Sequence, residues 1–186
     1  MRRKIAVCEG DATFFGALNV VSVDGLLADW ERRSAELLES HLSYPILAYF
    51  RSQHDQQSWL AALTAILDVS ALVLAGVDGV SPWQARRTFA ISRHAVVDLA
   101  QVFWIRPEPP SRDRLSGEQM PQARRLLEAA GVRLDPRAEE RLAPYRRMYE
   151  PYVHVLSHRL EMPLPALLPG GDALDDWERS AWEMPE

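Results

Sequence analysis

The hydrophobic pattern is dominated by one run, residues 59–77 (WLAALTAILDVSALVLAGV), in which Asp68 is the single charge. Its length approaches the ~20 residues needed to cross a bilayer. A mid-helix Asp, however, costs about 2.5–3.5 kcal/mol on insertion scales. The flanks, Gln53-His54-Asp55-Gln56-Gln57 and Asp78, carry no Lys or Arg anchor, and Trp59 is the one interfacial aromatic. The run therefore reads as a core helix ending at Gly76 or near Asp78-Gly79, with a membrane span as the alternative.

Weaker, amphipathic patterns surround it. After the turn signal Asp24-Gly25, the residues Leu26, Leu27, Trp30, Ser34, Leu37, Leu38 and Leu42 fall near helical spacing, with Asp29, Glu31, Arg32, Arg33 and Glu36 opposite. Pro45 suits the first turn of a short helix or bend. Ser81-Pro82 combines an N-cap with an N1 proline and predicts a helix to about Trp104, which Pro107, Pro109 and Pro110 end. Residues 106–117 read as an exposed, proline-rich linker. A short helix over residues 116–130 closes at Gly131. Asp135-Pro136 repeats the cap-plus-proline device, and the helix after it runs toward Leu160, kinked or broken at Pro144 and Pro151. The first 22 residues read as loop with at most one short strand.

The predicted fold is all-α, a helical bundle of five or six helices. It spans residues 25–162, between an irregular N-terminal segment (1–24) and a Pro/Gly-rich tail (163–186) with an acidic, aromatic end carrying Trp177 and Trp182. Helix one, the apolar helix and the Ser81 helix are expected as antiparallel neighbours, with the Pro136 helix across them.

Composition narrows the class further. The chain has 186 residues, 47% hydrophobic and 25% charged, enough for one substantial core. Against 26 Asp and Glu stand 21 Lys and Arg, a net charge of −5, which argues against nucleic acid as a partner. The lone Cys8 has no internal disulfide partner, which fits a reducing cytoplasm or a secreted chain without bridges. The basic start, Met1-Arg2-Arg3-Lys4, precedes too short an apolar run for a readable export signal.

Candidate chemistry sits where polar residues interrupt apolar faces, because a buried charge must find a partner or shift its pKa. Asp68 is the clearest case, and Arg93 or His94 would answer it. Arg87, His94, Asp98 and Gln101 recur along one side of the Ser81 helix. Asp68, His94 and Asp98 form a ligand or acid–base set on one reading, and a register-fixing polar pair on the other. His54-Asp55 adds an adjacent pair, also explained by helix capping. His154 and His158 lie one turn apart, the spacing of helical zinc sites, without the glutamate that would supply a general base. Arg51, His54, Asp55, Asp68, Arg93, His94 and Asp98 are thus the candidate buried polar or ligand residues. His54, Asp55, His94, Asp98, His154 and His158 are the candidate metal ligands, with no metal or cofactor specified. No nucleophile elbow or phosphate loop is present in the sequence. Tyr145, Tyr149 and Tyr152 form a stripe with Leu142 and Leu156, expected in a core or an oligomer contact.

Several strings carry a family likeness: Ser40-His41-Leu42-Ser43-Tyr44-Pro45, Tyr49-Phe50-Arg51-Ser52-Gln53-His54-Asp55, Gln57-Ser58-Trp59-Leu60-Ala61-Ala62-Leu63 and Ile66-Leu67-Asp68. Arg93-His94-Ala95-Val96-Val97-Asp98-Leu99-Ala100-Gln101-Val102-Phe103, Tyr149-Glu150-Pro151-Tyr152 and Met162-Pro163-Leu164-Pro165 extend it over residues 30–165. In these strings the chain resembles the cytoplasmic (C-terminal) region of bacterial two-pore-domain-type potassium channel proteins, here without the transmembrane pore or its filter. The resemblance implies a regulatory or assembly domain, cytoplasmic and at the inner face of a membrane, in a channel context. On this reading the chain is a non-catalytic, self-associating module that forms a homo-oligomer. The alternative is a metal-binding helical protein or metal-dependent enzyme using His54, Asp55, Asp68, His94 and Asp98.

Overall fold

The computed structural model describes residues 20–50, 58–110 and 113–168. Of the sequence candidates, Arg51, His54 and Asp55 lie outside them, as do the start of the chain and the Trp177–Trp182 end. The described chain is all-α, with six α-helices: α1 (Val20–Ser43), α2 (Trp59–Gly76), α3 (Pro82–Val102), α4 (Met120–Ala129), α5 (Ala138–Arg147) and α6 (Glu150–Leu160). A 3-10 helix, Pro45–Tyr49, follows α1.

First-turn prolines open α3, α4 and α6, one serine closes a side-chain cap, and α5 starts at Ala138, past the expected Asp135-Pro136 cap. Ser58 caps α2, its hydroxyl accepting from the Ala61 amide at 3.0 Å. Pro82 opens α3 at a position where its missing N–H costs nothing. Pro144 is accommodated inside α5, whereas the chain breaks before Pro151, which sits in the first turn of α6. The α4 helix starts at Met120, later than the predicted residue 116, with Pro121 in its first turn. The α1 helix begins at Val20, so residues 20–24, expected as irregular chain or strand, are helical; Gly25 is accommodated within the helix rather than serving as a turn.

The α2 helix occupies the middle of the molecule. It is the one helix among the described residues long and apolar enough to cross a membrane, and 72% of that stretch is buried inside the protein. Leu60, Leu63, Leu67, Val69 and Ala71 are sealed in the core with residues of all the other helices. Its last residue, Gly76, has φ +133°, and its carbonyl accepts from the Asp135 amide at 2.8 Å. A Cβ there would stand 2.6 Å from that of Asp135. The glycine thus lets the end of α2 lie directly against the loop between α4 and α5, where Val77 and Leu134 form an isolated antiparallel bridge.

One expectation about packing is corrected. The α1 helix packs chiefly on α3, to which it runs parallel, and only lightly on α2, its expected antiparallel neighbour. Their contacts advance together: Asp24 accepts from the Ser81 amide, Leu27 O from Thr88, Glu31 from Gln84 and Arg87, and Ser34 meets Ser92 at 2.9 Å. The physical reason is the α2 return. Two reversals restore the original direction, and the small buried residues Ser34 and Ser92 allow α1 and α3 to approach closely.

Candidate functional site

Among the described residues, the one strongly polar place in the interior is built around Asp68, midway along α2 and 6% exposed. Arg114, from the loop between α3 and α4, grips it with a bidentate fork: its two terminal nitrogens donate to the two carboxylate oxygens at 2.6 and 2.9 Å. The Tyr149 hydroxyl, at the junction of α5 and α6, donates to the same carboxylate. Arg114 also donates to Glu150 at 3.0 Å and to the Pro165 carbonyl at 3.0 Å. Glu150 in turn accepts from Arg146 at 3.1 and 3.2 Å, and Arg146 reaches Asp113 and the Leu115 carbonyl. Three carboxylates and two guanidiniums therefore alternate from the buried Asp68 outward to the exposed Asp113.

Electrostatics follow from that enclosure. Burial pushes the Asp68 carboxyl above its ordinary range, against the opposing pull of Arg114 and Tyr149. Burial also works against the charged form of Arg114, but Asp68 and Glu150 outweigh it and raise its pKa. The two tendencies oppose each other over the same ion pair. Geometry decides for the charged pair, since guanidinium is not deprotonated in proteins and its fork needs two acceptor oxygens. Tyr149, fully buried, is raised well above its usual value by desolvation and by Asp68, so it acts as a neutral donor. At the outer end, Arg146 overcomes the burial of Asp113 and lowers its pKa.

This arrangement corrects the expected partner of Asp68, which is Arg114 rather than Arg93 or His94. Arg93 donates to the Met148 carbonyl at 3.1 Å, tying α3 to the α5–α6 junction. His94 and Asp98 pair with each other at 3.2 Å, with His94 largely exposed on the outer side of α3. His154 and His158 stack edge to face, with ring centroids 4.6 Å apart. They line a surface depression of about 380 Å³ with Ile105, Arg106, Glu108 and Arg159. Among the described residues no group of three or more His, Cys, Asp and Glu side chains is placed to hold a metal ion.

Of residues 106–117, read as an exposed linker, 106–109, 113 and 117 are exposed as expected, and the stretch around Arg114 is corrected. Leu115 is buried and Arg114 nearly so, because the loop folds back to neutralise Asp68. Residues 163–168, assigned to the tail, belong with the core: Leu167 and Leu168 are buried and Pro165 contributes its carbonyl. The sequence signalled this site through Asp68, a lone charge in an apolar run, and through the tyrosine stripe in which Tyr149 sits; nothing local marked Arg114, Arg146 or Glu150.

Fold and site together define an all-α helical bundle whose interior is locked by a buried ion network. Comparison with protein-family models, curated proteins and solved structures finds no match for the chain.

Proposed function

We propose that this chain is a non-catalytic helical regulatory and assembly domain that self-associates at the cytoplasmic face of a membrane, in the setting of a bacterial two-pore-domain-type potassium channel. The observation that carries the non-catalytic part is the state of the Asp68 network. Its strongly perturbed groups, the usual pointer to an active site, are buried and spend their hydrogen bonds on one another. Each donor of the Arg114 fork already has a protein acceptor, so no developing charge on a substrate is served. Such a network holds helices in one arrangement, which suits a part that transmits a fixed geometry.

The channel setting rests on the likeness of residues 30–165 to the cytoplasmic region of those proteins. Self-association is supported by large apolar side chains left on the surface at one end of the bundle. The metal-centred alternative draws less support. The Asp68 oxygens are engaged by Arg114 and Tyr149, while His94 and Asp98 lie together on the outside of α3.

Size-exclusion chromatography with light scattering on the full chain tests the assembly reading. A mass above 21.1 kDa that rises with concentration is the expected result. A monomer throughout removes it.

A further inference from the structure

Among the described residues eight large apolar side chains are exposed, and six of them sit near one end of the bundle. Leu42 ends α1, Tyr44, Ile46, Tyr49 and Phe50 belong to or flank the 3-10 helix, and Trp104 follows α3; the first five are 44–67% exposed and Trp104 is 94% exposed. The two segments are joined where Tyr49 packs edge to face on Phe103, centroids 5.5 Å apart. The other two lie elsewhere: Trp83 at the start of α3, the opposite end, and Met148 at the end of α5.

The backbone beneath Trp104 supplies a second, independent observation. Trp104 has φ +55°, the left-handed region, with Ile105 N donating to Ala100 O at 2.9 Å. That is the helix-ending turn in which glycine is the usual residue, because a side chain there carries a steric cost. This chain places its bulkiest residue type at that position and aims it outward. Strain maintained under an exposed indole points to a use for the indole.

We propose that this end of the bundle is the self-association surface, and that its occupant is the same surface of a second copy of the chain. The inference rests on the assembly reading and names its contact. Area supports it: aromatic side chains of about 150–250 Å² each, exposed to these fractions, present together roughly 800 Å², one partner's share of a standard interface. Composition supports it too, since Trp, Tyr and Phe dominate the anchors of protein interfaces. Residues 42–50 and 103–105 contain neither Lys nor Arg, and the chain carries a net charge of −5. Arg51 and Arg106 directly follow these segments, one cation beside each along the chain, short of the cluster of about four to eight Lys and Arg that marks a segment bound to anionic lipid. A self-complementary patch of this kind closes a two-fold dimer.

Two variants of the full chain, Trp104→Gly and Ile46→Asp, test the surface by light scattering and analytical ultracentrifugation. Trp104→Gly relieves the left-handed backbone, so its melting temperature rises or holds while its dimer affinity falls by at least about tenfold. Ile46→Asp, at an exposed position, weakens association to the same degree with its melting temperature unchanged. A wild-type oligomer that neither variant weakens overturns the surface and leaves the assembly reading intact. A wild-type monomer at all concentrations overturns both. Cosedimentation of a monomeric wild type with phosphatidylcholine–phosphatidylglycerol vesicles, lost in both variants, overturns the second copy as occupant and assigns the surface to lipid.

Discussion

Arg114 and Asp68 stand 46 residues apart in sequence, yet both oxygens of the carboxylate are held by the two terminal nitrogens of the guanidinium. The pair ties the loop after α3 to the centre of α2, and through Glu150 and Arg146 it fastens α6 and α5 to the same point.

Removing one side of that network leaves the other buried without compensation. Arg114→Met is expected to destabilise the fold by about 3–5 kcal/mol, because Asp68 and Glu150 remain in the interior. Adding Asp68→Leu to it recovers part of the loss, since one orphaned charge goes with it. Urea unfolding of the wild type, both single variants and the double variant measures the coupling; additive losses would mean that the fork is not energetically linked.

His41 gives the protein a pH-dependent stability term. The ring is buried against Trp59, its Nδ1 lies 2.8 Å from the Leu37 carbonyl, and its Nε2 has no hydrogen-bond partner. Burial lowers its pKa from 6.5, with the Leu37 carbonyl opposing. The unfolded chain therefore takes up a proton first as pH falls. This contribution is intact above about pH 6.5 and is lost as pH drops from there toward the lowered folded value. Between about pH 7.5 and pH 5, the melting temperature of His41→Phe should fall less than that of the wild type. Parallel slopes for the two proteins would refute the assignment.

Two serines of the apolar helix region should respond in opposite directions. Ser58→Ala removes the cap on the Ala61 amide and is expected to cost about 0.5–2 kcal/mol. Ser70 has its hydroxyl buried in α2 without a hydrogen-bond partner. Its replacement by Ala relieves an unpaired polar group and should stabilise by up to about 1 kcal/mol. Chemical denaturation with the same baseline slopes compares them directly, and a loss of stability in Ser70→Ala would contradict the reading.

Gly76→Ala should be destabilising by more than about 1 kcal/mol, because a methyl group meets both an unfavourable φ and the Asp135 side chain. Thermal melting checks this, with Gly117→Ala as the control: nothing lies within 4 Å of a Cβ there. Equal melting temperatures for Gly76→Ala and the wild type would show that the loop against α2 gives way freely.

What the sequence determined by itself was local. Helical periodicity, the Ser81-Pro82 start signal and prolines at first turns are read within a few residues, and from them follow the all-α class and the bundle. The uninterrupted apolar run likewise implied that α2 lies inside. It also showed that Asp68 needs a partner, since one charge among apolar neighbours is visible in the string. Which partner was decided only by tertiary structure. Arg114 looks like any cation of a charged loop until the loop folds back onto α2, and the Tyr149 hydroxyl arrives from 81 residues away. The docking of α1 on α3 rather than on α2 is of the same kind: it depends on how three helices share one buried face, and no spacing within any of them records it. Ion pairing and helix docking act across space at a few ångströms, whereas sequence patterns carry information along the chain over one or two turns.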